Sequence, residues 1–338
     1  MLKNLYKGAL TLVALSLPAI AHAQGLETLG NRAAALAAFV AVADDSSAVA
    51  WNPSGLVSGP FFNITLGLGR TTDAPDSTPF PGAGGGRLRT TLIAVGTTPL
   101  GLAYYRIAST SIKPADPAVS GSLDRETNQA VVTRLVATHL GATVQQSVGE
   151  YLTLGATIKL VRGSVGQDIV SGDSWDAAFE RGDSFEGQGN SRGDVDVGAM
   201  LAAGRIRAGV VIRNVTAPTF GEPDGAAVRL ERHVRVGAAW ADRWPGISSV
   251  VVAVDADLTQ VPHPAGDRRD VAAGVERWLG GQRVGLRAGV RTSTVGDPRP
   301  VASAGGSLAV RGGTYVDAYL ARGTRNDRGW GVAVRLGY

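Results

Sequence analysis

Residues Trp330-Gly331-Val332-Ala333-Val334-Arg335-Leu336-Gly337-Tyr338 decide the fold. Successive side chains of an extended strand point to opposite faces. Trp330, Val332, Val334, Leu336 and Tyr338 therefore share one face, and Gly331, Ala333, Arg335 and Gly337 share the other. The pattern repeats upstream. Val284, Leu286, Ala288 and Val290 stand against Gly285, Arg287, Gly289 and Arg291. Val250, Val252, Val254, Ala256 and Leu258 have Asp255 and Asp257 opposite. Val316, Ala318 and Leu320 have Tyr315, Asp317 and Tyr319 opposite.

Extended towards the N-terminus, the alternation predicts about 14 strands, from 60–70 to 329–338, among them 129–144, 150–163 and 228–242. An even number suits a closed antiparallel barrel. The 46 glycines and the lack of a sustained helical period agree with an all-β chain. Alternation alone fits a soluble sandwich as well. Three features favour a membrane barrel, whose apolar side chains face lipid and whose polar ones face the lumen. The first is a leader: Lys3 and Lys7, the apolar run Gly8 to Ile20, then the small-x-small site Ala21-His22-Ala23. The apolar run is too short to span a bilayer and reads as a signal peptide over residues 1–23. The second is the aromatic Tyr338 at the tip of an amphipathic strand, which resembles the signal read by barrel assembly machinery. The third is the unbroken series of strands to the C-terminus, which leaves no edge once the sheet closes.

The expected connections separate by length. Thr71 to Arg87, Ser109 to Asn128, Ser164 to Gly193, Asn214 to Ala227 and Gln260 to Asp267 are long and polar. Those at Pro99, Val148-Gly149, Gly204, Trp244-Pro245-Gly246, Gly280-Gly281 and Gly312 are short. Short periplasmic turns and long outside loops predict that both termini lie in the periplasm and the barrel in the cell outer membrane, among its lipids.

Other classes lose support. With no cysteine, disulfides, thiolate metal sites and lipid attachment to Cys are excluded. His22, His139, His233 and His263 are scattered, so neither a metal nor a cofactor is expected. No Gly-x-Ser-x-Gly nucleophile motif stands out, and the glycine-rich Gly82 to Gly86 stretch lies between strands, so an enzyme is not expected. Removing Lys3 and Lys7 lowers the net charge from +4 to about +2, and no basic run points to nucleic acid. Trp240, Trp278 and Trp330 are candidates for an interfacial girdle, with alternation turning Trp278 inward.

Residues 24–59 do not read as lipid-facing strands. Arg32 to Val42 is alanine-rich and helix-prone. Ala43-Asp44-Asp45-Ser46-Ser47 suits a turn or cap, and Trp51-Asn52-Pro53-Ser54-Gly55-Leu56 is a proline-fixed turn. Together with Leu29-Gly30-Asn31-Arg32-Ala33 and Phe39-Val40-Ala41-Val42-Ala43, these stretches resemble the N-terminal hatch of the FadL-type outer-membrane transport superfamily. Gly274-Val275-Glu276, Leu286-Arg287-Ala288-Gly289 and Val316-Asp317-Ala318-Tyr319 resemble its PorV-like branch. The resemblance implies a 14-stranded barrel over 60–338 with a plug over 24–59 in its lumen. A barrel of this size is too wide for its own side chains to fill. Asp44 and Asp45 would cap amides or pair with luminal arginines, and Asn52-Pro53 would fix the turn into the first strand.

Asp255, Asp257, Glu276, Arg287 and Arg291 fall on the polar faces of successive strands. They form either an ion-pair ladder that holds wall and plug, or a polar lining or gate for a solute. Two functions follow from the resemblance. One is passage of a small hydrophobic molecule, with Gly67, Gly69, Gly285 and Gly289 as candidate kinks for lateral exit. The other is a PorV-like platform that binds protein partners in export or surface attachment.

Overall fold

The computed structural model describes residues 20–22, 29–74, 84–114, 129–171, 174–221, 226–243, 250–263, 266–324 and 326–338. The expected leader lies outside these except for Ile20–His22, which forms the short strand β1. Gly82 and Ala83 of the glycine-rich stretch and the Trp244-Pro245-Gly246 turn also lie outside the described residues.

Strands β2 (Phe62–Asp73), β3 (Gly85–Thr97), β4 (Leu100–Pro114), β5 (Gln129–Val148), β6 (Leu152–Ser171), β7 (Gly189–Ala203) and β8 (Ile206–Arg213) follow one another as antiparallel neighbours. So do β11 (His233–Ala241), β12 (Val250–Asp257), β13 (Asp270–Leu279), β14 (Val284–Ser293), β15 (Val301–Arg311), β16 (Thr314–Gly323) and β17 (Arg328–Gly337). β8 pairs with β11 and β17 with β2, closing a 14-stranded barrel that has no free edge. At the seam Phe62 and Tyr338 exchange backbone hydrogen bonds of 3.1 and 2.9 Å.

Outside and inside are those of a membrane barrel. Leu68, Ile93, Leu102, Leu140, Leu160 and Leu320 stand exposed on the outer face. Lys159, Asp196, Arg213, Glu276 and Arg287 are buried on the inner one. A soluble sandwich buries its apolar face, so this distribution rules that alternative out. Trp240 and Trp330 point outward, whereas Trp278 turns inward against Tyr315. No helix among the described residues is long and apolar enough to cross a membrane.

The short turns at 98–99, 149–151, 204–205, 280–283 and 312–313 gather at one end, with both ends of the barrel chain, Phe62 and Gly337. We call this the turn end and the opposite one the loop end. The strands reach further into the loops than alternation predicts. β5 and β6 are each 20 residues long. The outward faces of Ile112, Val132 and Val170 remain apolar there because helix α3 (Trp175–Asp183) packs over them through Ala178 and Phe179. The expected strand 228–242 is divided. Ala227–Arg229 (β10) pairs instead with Thr219–Gly221 (β9), and on its other side β10 takes β1 in parallel register. Val228, Leu230 and Phe220 thereby enter the lumen, where they bury against Leu135, Val161 and Val165.

The N-terminal segment fills the lumen. It comprises α1 (Asn31–Leu36), α2 (Ala48–Trp51) and a 3-10 helix at Pro53–Ser58. The alanine-rich helix expected to reach Val42 stops at Leu36. Ala37 takes a left-handed φ of 61° and donates its amide to Ala33 O. Ending there frees the amides of Phe39 and Val40 for a wall carboxylate, described next. Wall and plug approach closely where the wall lacks a side chain. A Cβ on Gly274 would lie 2.0 Å from Leu36 O, and one on Gly155 2.4 Å from the Pro53 carbonyl carbon.

Candidate functional site

The plug is held to the wall by buried charge. Arg32 of α1 grips Glu276 on β13 through two bonds, Nε at 2.8 Å and Nη2 at 2.9 Å. The same guanidinium pairs with Asp44 and, at 3.7 Å, with Asp45. Glu276 also accepts from Arg287 on the neighbouring strand β14. Arg287 lies 3.6 Å from Asp317 on β16, which in turn takes Arg335 on β17 at 3.2 Å. The chain of alternating charge thus runs from the plug along β13 to β17, with its charged residues on β13, β14, β16 and β17. Buried charges persist only when paired and hydrogen-bonded, and this arrangement supplies both.

Asp255 has a different role from its neighbours. One of its oxygens accepts the amides of Phe39 at 2.7 Å and Val40 at 3.1 Å, satisfying the backbone that α1 leaves open. Asp257 stays within the wall: it accepts two bonds from Arg235, at 2.5 and 3.1 Å, and sits 2.8 Å from His233 Nε2. Arg235 and Arg213 lie over the ring of Trp51, whose indole N–H donates to Leu29 O at 2.6 Å. Arg291 lines a cavity of about 20 Å³ between α1 and the wall, together with Ala34, Ala37, Ala272, Ser303 and Tyr319. That volume holds about one water molecule.

Asp45 accepts from the Ser47 amide at 2.9 Å at the start of α2. Asn52 links two plug turns: it donates to Val40 O at 2.9 Å and accepts from the Ser54 amide at 3.2 Å, capping the helix that Pro53 begins. The luminal arginine that pairs with Asp44 and Asp45 is Arg32, which belongs to the plug itself. Glu276, Arg287, Asp44 and Asp45 come together at Arg32, while Asp255, Asp257 and Arg291 make separate contacts.

Several partners carry little local signal in the sequence. Arg32 lies inside the hatch-like motif with no neighbour that marks it as the clamp. Asp317 and Arg335 stand on the polar faces of alternating strands. A second buried cluster, Lys159 with Asp194 at 2.8 Å, Asp196 at 2.7 Å and Asn214 at 3.1 Å, joins β6, β7 and the residue after β8. Period-two alternation was the signal that could have found it. Among the described residues, no three His, Asp or Glu side chains gather as a metal site.

None of the candidate kink glycines breaks a strand. The pairing of β2 with β3 and β17, and of β14 with β13 and β15, runs in continuous register past Gly67, Gly69, Gly285 and Gly289. Instead, Gly289 makes room for Leu36 of the plug. The membrane side of β11 to β14 carries an apolar depression of about 690 Å³, lined by Val236, Ala238, Val254, Ala256, Val271 and Val290. It backs onto the cavity beside α1, with Ala272 and Arg291 bordering both.

The fold is shared with known channels. CymD, a monoaromatic hydrocarbon channel, superposes with a TM-score of 0.62 at 14% identity, covering 94% of this chain and 99% of that one. The toluene transporter TbuX of Ralstonia pickettii gives 0.61 at 14% identity, covering 93% and 99%. The toluene transporter TodX of Pseudomonas putida gives 0.57 at 13% identity, covering 94% and 97%. The chain therefore has the barrel fold of FadL-type outer-membrane channels. Residues 96–257 match the family described as F plasmid transfer operon, TraF, protein. No curated protein matches the chain.

Proposed function

We propose that this chain is a FadL-like barrel that passes small hydrophobic molecules across the outer membrane. The observation that carries this reading is the apolar cluster inside the lumen at the loop end, where Leu135, Val161, Val165, Phe220, Val228 and Leu230 pack together. A channel for hydrophilic solutes gains nothing from an apolar lining at its mouth. The cluster is closed, its side chains buried against one another; when they part, an apolar solute gains a site out of water at about 25 cal/mol per Å² buried.

In this reading residues 1–23 are a leader, 24–59 the plug and 60–338 the barrel. The assembly machinery recognises the strand ending at Tyr338. The turn end and both termini of the mature chain face the periplasm. An apolar solute enters at the loop end, and the charge-clamped plug blocks water and ions. Continuously paired strands separate the apolar depression on the membrane side from the luminal cavity at Ala272, so a lateral exit there requires the β12–β13–β14 pairing to open.

Proteoliposomes test the proposal. Monoaromatic solutes should enter faster than through empty vesicles, while sugars of similar size should not. Equal rates for protein-containing and empty vesicles would overturn it. Such a result, combined with stoichiometric recovery of a protein partner from solubilised membranes, would favour the PorV-like platform.

A further inference from the structure

The outer face of β2 to β6 carries a row of arginines that the luminal network does not use. Arg70 on β2 is in register with Arg89 on β3. Arg106 on β4 and Arg162 on β6 flank Thr138 of β5 in register, and Arg134 lies further along β5. Their outward phase follows from the strands. Arg106 continues the exposed series Leu102 and Tyr104, Arg162 continues Ile158 and Leu160, and Arg134 is in phase with Leu140.

The row has a definite height. On its turn side lies the exposed apolar band of Ile93, Tyr104, Leu140 and Leu160. On its loop side α3 covers the same face of the sheet. The arginines therefore mark the border between lipid-facing surface and the helix beyond it, which is headgroup level if the band sits in a bilayer.

The acids of α3 leave this charge only partly matched. Asp183 takes Arg89 at 2.6 Å and Arg87 at 3.5 Å, and Asp176 takes Arg87 at 2.9 Å. Arg134 reaches the Gly182 carbonyl at 3.5 Å, and its Nε is buried with no hydrogen-bond partner. Asp183 attracts it most strongly of the nearby charges, while Arg106 and Arg89 repel it. Arg106 and Arg162 are exposed. Strands two apart in a sheet are separated by roughly 9–10 Å, a gap that two arginine side chains close on a single phosphate. Guanidinium groups match phosphate oxygens in paired, charge-assisted hydrogen bonds.

We infer that Arg106, Arg134 and Arg162 bind the phosphate of a phosphorylated glycolipid in the outer leaflet, with its acyl chains along the Ile93 to Leu160 band. The inference rests on the membrane-barrel reading and on the loop end facing outward. It is independent of what the lumen carries.

The test is native mass spectrometry of the purified, detergent-folded protein with lipid A. Three ligands are compared: the phosphorylated lipid, the same lipid after dephosphorylation, and inorganic phosphate alone. The wild type should retain the phosphorylated lipid and lose most binding to the dephosphorylated form. The triple variant R106Q/R134Q/R162Q should lower retention by about tenfold or more, equivalent to about 1.4 kcal/mol. R277Q/R283Q, at the turn end, should bind as the wild type does. The heat-dependent gel shift verifies folding, and R106Q/R162Q, confined to exposed residues, replaces the triple variant if that does not fold. Equal retention of both lipids, or unchanged retention by a folded variant, would overturn the proposal. Displacement of the lipid by inorganic phosphate alone would reassign the site to a free anion and overturn it too. Apolar flux by the same variants separates this site from the transport reading: loss of lipid with flux intact leaves that reading standing.

Discussion

Arg32 is the residue on which plug and wall depend together. Replacing it with Met leaves Asp44 and Asp45 without their guanidinium and Glu276 with Arg287 alone. Removing one partner of a buried ion pair costs about 3–5 kcal/mol. The expected result for Arg32→Met is a rise in ion conductance across planar bilayers while the barrel still shows its gel shift. Conductance unchanged from wild type would remove Arg32 as the clamp. Asp255→Ala acts more locally. It strips the acceptor from two buried amides, at about 1–3 kcal/mol. Hydrogen exchange should quicken at Phe39 and Val40 and stay slow along β12 and β13. Asp255, Glu276 and Arg287 were legible as luminal because a period of two allows no other face. Their partners were not, since Arg32 lies 244 residues from Glu276 in sequence and nothing local records that pairing.

Among the elements, the plug owes its seat to wall residues that are not there to obstruct it. Gly274 and Gly289 both face Leu36 O, at 2.0 and 2.4 Å from an added Cβ. Gly274→Val should therefore push α1 off the wall, since overpacking costs about 1–3 kcal/mol. Protease access to the 29–59 segment should increase without loss of the barrel; protection equal to wild type would show that α1 does not dock there. The strands themselves were readable because lipid outside and polar lumen inside enforce alternation. Where a second layer covers the sheet, alternation stops being informative. Val132 and Val170 point outward yet are buried by α3. The helix did leave a signal in Trp175, Ala178, Phe179 and Gly182, spaced as one helical face, with Ser174 capping the Ala177 amide at 3.2 Å. Its shortness and the polar residues around it hid that signal. The β9–β10 hairpin had no such signature, because Val228 and Leu230 alternate as well in a lumen lid as in a wall strand.

For the whole molecule, closure and orientation are separate claims. The closed sheet makes the folded barrel migrate faster than the boiled chain on a denaturing gel. Orientation is tested through the absence of natural cysteines. A cysteine at Asp267, in the connection between β12 and β13, should react with an impermeant maleimide on intact cells, and one at Gly312 only after lysis. The reverse pattern would invert the topology. The number of strands, their sidedness and the plug were all present in the sequence. The apolar cluster in the lumen was not, because Leu135, Val161, Phe220 and Val228 are distant in sequence and meet only after closure. The proposed transport requires apolar molecules to occupy this lumen. Anomalous diffraction from crystals grown with bromobenzene tests that most directly. Bromine is expected beside Leu135, Val161 and Phe220, inside the barrel. Bromine confined to the outer apolar band, with none in the lumen, would contradict it.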